Sequence, residues 1–383
     1  MAVVPVGPVL AHGASAGIPL PLLLLGAMAA VAGVSALRNR QGAPPQHEPA
    51  IMLPLALTRI LDHPATRLGL GLAGGVAAGA VLTLAIARPP SSQSTAARLV
   101  LDDLWTVLVP ASLLLGPVWR LVSPLRPLAA GLAWLSGDPR EQATRPVPGW
   151  LGWWPAAVGL LVFAGLGLAL PGHPLTLVLL LAVYTLVELG AVTRYGRRWL
   201  ARGDPLEAYS RLLGLMAPLR RDPGGRLQLA SPRRYLATAR NAPGLPALAA
   251  VAIASDLMDA VEGTQAWHSL ALNRGQAALT LAVGLAAAAA VIGLAAAVAT
   301  RRAGLTIALL PVVAGWAAGH QLAVHSALLG LAAFVAGHLG ALVVAGDRAT
   351  AQYGPRAPAA QLEFRALVLA LLAGGLVLRF GGV

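Results

Sequence analysis

Apolar runs long enough to cross a bilayer recur along this chain, and the loops between them are either crowded with arginine or almost free of it. That partition leaves few options. A hydrocarbon core about 30 Å thick takes about 20 apolar residues per helix, and cationic loops stay on the cytoplasmic face. We read spans near Ile18–Leu37, Leu68–Ala87, Leu99–Trp119, Leu151–Leu170, Leu175–Val192, Pro246–Val261, Ala277–Thr300, Leu305–His320, Ser326–Ala345 and Phe364–Leu378. The sixth, eighth and tenth hold 15–16 residues, about 24 Å of helix, so they borrow flanking residues or re-enter. The expectation is an all-α, polytopic transmembrane bundle of about ten spans, one integral-membrane domain over residues 1–383.

With the N-terminus outside, 24 of the 28 basic residues, all of them arginine, fall in inner loops. The exceptions are Arg88, Arg98, Arg274 and Arg379. No register of the opposite hand comes close, so both termini are expected outside a plasma membrane, with the first run an uncleaved anchor. The inner loops include a basic stretch, 193–243, with an amphipathic helix expected at Pro205–Leu219 in contact with anionic lipid headgroups, and an interfacial segment, 121–149. A formal charge of +13 suggests nucleic acid in a soluble protein; here it orients the chain, and nucleic-acid binding is excluded. The mean hydropathy of +0.71 agrees. Cysteine is absent, which removes thiolate metal sites, Fe–S clusters and catalytic thiols.

Ionisable side chains inside apolar runs are costly and mark function. Asp102 and Asp103 open the third span from outside, and Asp256, Asp259 and Glu262 occupy the outer half and exit of the sixth. His320 ends the eighth span, His325 begins the ninth, and His338 lies about 18 Å further in. His12, His173 and His268 also face out. Glu188, late in the fifth span, is placed to pair with Arg194 or Arg197. Imidazoles and carboxylates gathered at one leaflet suit a hard or borderline divalent cation, zinc or manganese, which lowers the pKa of bound water. Asp256 and Asp259, three apart, share a helix face. His320 and His325, five apart, do not share one.

Four segments carry a likeness to a known family: Leu10-Ala11-His12-Gly13; Leu113 to Arg120 leading into Ser123-Pro124-Leu125-Arg126-Pro127-Leu128; Gly203-Asp204-Pro205-Leu206-Glu207-Ala208-Tyr209-Ser210; and His325-Ser326 with Ala336-Gly337-His338-Leu339. The chain resembles the actinobacterial membrane proteins known as fenitrothion hydrolases. The resemblance implies hydrolysis of an organophosphorus or similar ester, with His12, Asp256, Asp259, His325 and His338 as metal-site candidates. Leu339 stands where that family has an aromatic residue, and 256–267 matches loosely. Asp102 or Asp103 is then the orienting group or general base. Two other classes compete on the residues: an ion-coupled permease using intramembrane Asp and His, and, more weakly, a haem-binding redox subunit. Substrate and oligomeric state are left open by the sequence.

Overall fold

The computed structural model describes residues 18–40, 50–87, 95–135, 137, 145–169 and 174–381. Almost all of the regular structure is helical. The principal helices are α1 (Leu20–Arg40), α2 (Pro64–Ala87), α3 (Leu104–Leu115), α4 (Trp154–Ala169), α5 (Pro174–Tyr195), α6 (Pro205–Gly214), α7 (Leu245–Glu262), α8 (Arg274–Ala299), α9 (Leu310–Ala323), α10 (Ala327–Tyr353) and α11 (Leu362–Phe380). Among the described residues, seven helices are long and apolar enough to cross a membrane: α1, α2, α4 with the turn before it, α5, α8, α9 with the 3-10 turn before it, and α10. The apolar surface they present fits a membrane protein. Three of the expected spans fall outside that set. The third is interrupted by a π-helical turn at Leu99–Asp103, which leaves twelve residues in α3. The sixth, α7, carries three acids in 18 residues. The tenth, α11, carries Glu363, Arg365 and Arg379.

The chain divides into two compact units: a middle unit of Gln46–Tyr235 with Ala242–Leu248, and a flanking unit of Met1–Pro45, Leu236–Asn241 and Ala249–Val383.

In the middle unit the basic stretch is folded. Asp204 N-caps α6 through the Leu206 amide (2.9 Å), and eight of the ten residues of α6 are buried. The helix is shorter than the Pro205–Leu219 expected, and it lies inside the unit against α3 and α4 where the sequence suggested a headgroup-facing surface. Its buried acids find donors there, which removes the reason to stay wet. Behind it, β1 (Ile51–Met52), β2 (Leu219–Arg221) and β3 (Leu227–Leu229) form an antiparallel sheet in the order β1–β3–β2. The Asp222-Pro223-Gly224-Gly225 turn closes the hairpin: the Asp222 carboxylate accepts from the Arg226 amide (2.8 Å), and Gly225 takes φ +84°, which a side chain would resist.

In the flanking unit α9 is the central element, 78% of its span being buried against 11–33% for the other candidate spans. Pro311, Gly315, Gly319 and Ala323 recur every four residues on α9. They meet Gly330, Phe334 and Gly337 of α10. A Cβ added at Gly315 would sit 2.8 Å from the Gly337 Cα, and one at Gly330 would sit 2.7 Å from the Ala323 Cβ. Small residues let the backbones touch, the means by which helices associate where no hydrophobic force separates lipid from side chain. Phe334 fills the core between Trp316 (centroids 5.0 Å), His338 (4.5 Å) and Phe380 (6.0 Å). At the far end of α10, fully buried Asp347 pairs with Arg38 of α1. Arg348 there donates to the carbonyls of Leu236, Ala237, Ala239 and Gly304.

Candidate metal centre

Three helix ends of the flanking unit meet at the opposite end of the α9–α10 hairpin. The fourth turn of α7 presents Asp256 and Asp259; the last turn of α9 presents His320; the last turn of α11 presents Arg379. Each of Asp256, Asp259 and His320 offers one ligand atom within 4.8 Å of the others, and all three side chains are half-buried. This is the one such group among the described residues. Two carboxylate oxygens and an imidazole nitrogen suit zinc or manganese, and three protein ligands leave coordination positions open.

Arg379 is almost wholly buried and reaches into the group. Its Nη2 donates to the main-chain oxygen of Asp256 (2.9 Å) and to His320 Nδ1 (3.1 Å), and lies 3.7 Å from Asp256 Oδ1. A guanidinium has donors only, so His320 Nδ1 accepts there and holds its lone pair toward the arginine. The Arg379 Cζ stands 5.4 Å from the Trp316 ring centroid, a cation–π contact. Buried Arg379 Nε has no hydrogen-bond partner.

Among the residues that the sequence put forward, Asp256 and Asp259 are brought together, and His320, noted there as a span end, joins them. His325 is exposed in the turn between α9 and α10, outside this group. His338 is fully buried further along α10, also outside it. Its Nδ1 lies 2.8 Å from the Phe334 carbonyl oxygen, which only accepts, so Nδ1 carries the proton and Nε2 is a bare lone pair. No hydrogen-bond partner reaches Nε2. Asp102 and Asp103 belong to the middle unit, within the π-helical turn, where Asp103 is exposed. His12 lies outside the described residues. Arg379 was legible only as an anomaly, one of four arginines on the wrong side of the positive-inside count. No spacing rule links 256, 320 and 379.

A second polar assembly occupies the middle unit. Asp204, fully buried, accepts from Tyr184 Oη (2.8 Å) and Trp119 Nε1 (3.1 Å) as well as from its cap amide. Burial pushes its carboxyl up to about 6, against the pull of the Tyr184 hydrogen bond. Glu207 is held by Arg126 at 2.5 and 2.7 Å, a two-oxygen grip. Glu188 accepts from Trp199 Nε1 (2.8 Å), an indole partner in place of the expected Arg194 or Arg197. The segment 203–210, singled out for its family likeness, thus sits at the heart of a donor-filled network.

Compared with protein-family models, with curated proteins and with solved structures, the chain matches none.

Proposed function

We propose that this chain is a multi-pass protein of the plasma membrane, N-terminus exported, with a metal-assisted hydrolase-like site at the outer leaflet formed by Asp256, Asp259 and His320. The observation that carries this reading is the convergence of three ligand atoms from two helices within 4.8 Å, with a buried guanidinium among them. Sidedness follows from the arginine count. It is supported within the flanking unit, where Arg38 and Arg348 gather near Asp347, 20 residues or about 30 Å of helix from the start of α10. Bound by these residues, zinc or manganese would supply an activated water and polarise an ester oxygen. The chain contributes carboxylate and imidazole ligands on rigid helix ends and a cation, Arg379, for a substrate oxygen. The resemblance to fenitrothion hydrolases suggests the ester class, organophosphorus or similar; the lipid bilayer is the surrounding partner.

The test is metal content and ester hydrolysis of the purified protein after chelation and reloading with zinc or manganese. We expect bound metal in the wild type and its loss in D259N and in H320A. Full metal content in both variants places the site elsewhere. A second reading, an ion-coupled permease, is favoured by one observation: His338 Nε2 and Trp316 Nε1 are both buried without partners around the same Phe334. Solute-dependent proton uptake into liposomes, abolished in H338L and without metal dependence, selects that reading.

A further inference from the structure

We propose that Arg379 is a built-in cation that occupies the Asp256–Asp259–His320 group until a divalent ion displaces it. This rests on the metal reading of the site and adds what controls its occupancy. The imidazole nitrogen facing the guanidinium, His320 Nδ1, gives its lone pair to Arg379 Nη2 at 3.1 Å. In that tautomer the neutral ring carries its proton on Nε2, so neither nitrogen is open to a metal while the contact lasts. The same Nη2 is tied to the Asp256 main-chain oxygen and lies beside its carboxylate, so one donor atom spans two of the three ligand residues.

The arginine is not fully satisfied where it lies. Its Nε is buried and unpartnered, so the present pose leaves a donor unused, and the Trp316 ring holds the guanidinium carbon from one face. A guanidinium can pivot on such a ring while keeping the cation–π contact. With both carboxylates ionised, the group and its arginine carry a net charge of one negative unit. A divalent ion joining them is opposed by the guanidinium at short range, and release of Arg379 from His320 relieves that opposition. Arg379 is therefore a positioning residue that sets metal affinity, and its position in the last turn of α11, among terminal carbonyls, favours a cation there.

The experiment is a calorimetric titration of zinc and, separately, manganese into the chelated full-length protein in nanodiscs, for wild type, R379Q, R379K and H320A. R379Q is expected to bind on the order of tenfold tighter than wild type, because a charged hydrogen bond no longer has to be broken. R379K, which keeps the charge and loses the planar fork, falls between them, and carries the test if R379Q does not fold. H320A binds weakly or not at all. Equal or weaker affinity in R379Q and R379K, with metal still bound by wild type and lost in H320A, overturns the role of Arg379 and leaves the metal site standing. No binding by any of the proteins overturns the metal reading and this inference together.

Discussion

The middle unit buries its acids among dedicated donors. Asp204 takes a phenol, an indole and an amide, Glu188 takes an indole, and Glu207 engages one arginine through both of its oxygens. The flanking unit leaves Asp256, Asp259 and His320 half-buried around one arginine that also serves a main-chain oxygen. Both regions concentrate ionisable groups in apolar surroundings; the first meets its carboxylates largely with neutral donors, and a buried guanidinium stands within the second. Hydrogen-bonded polar networks rigidify a fold, whereas carboxylates and an imidazole whose ligand atoms lie within 4.8 Å of one another could share a cation. The comparison separates acids bound into the fold from acids grouped with a histidine as candidate metal ligands.

The comparison breaks most easily at Glu207. R126M removes its partner and strands a buried carboxylate, with an expected loss of about 3–5 kcal/mol, read as a large fall in thermal stability of the detergent-solubilised protein; an unchanged transition would mean that the network is not structural. Next is pH. Asp204 is raised from 3.8 in the unfolded chain to about 6 in the folded one, so the folded state binds more protons between those values and stability falls as pH rises through that window. The full loss, reached above pH 6, is about 3 kcal/mol. Thermal scans from pH 4 to 7 should show the decline, and D204N should lack it. W199F leaves Glu188 without its indole donor, which costs about 1–3 kcal/mol, and should be visible in the same scans. The smallest effect on stability belongs to the flanking unit. D259N should lower the transition less than R126M does while metal binding is lost, so a stability loss as large as that of R126M would erase the contrast between the two regions.

Much of the scaffold was legible in the chain. Seven of the ten hydrophobic runs correspond to helices of spanning length, because hydropathy over 20 residues is a property of the local sequence. The Asp222–Gly225 turn, too, declares itself through proline and glycine. The burial of α6 was not legible: Arg202, Arg211 and Glu207 around it read as a wet surface helix, and the Trp119 indole, the Tyr184 phenol and the Arg126 guanidinium are what make a dry setting tolerable. In the candidate site, Asp256 and Asp259 were visible because they interrupt an apolar run at helical spacing. Their partners were not, since His320 and Arg379 stand 61 and 120 residues beyond Asp259 on other helices.

The linear order of residues determined that the chain is helical, apolar and charge-partitioned, because bilayer hydropathy and the cost of moving guanidinium groups across a membrane act on each segment separately. Tertiary structure decided which polar groups meet. The four-residue recurrence of Pro311, Gly315, Gly319 and Ala323 brings α9 against α10, with Trp316 and His320 borne on the same helix. There His320 meets Arg379 and the two aspartates, and side chains converge in this way only after backbones have packed at one register.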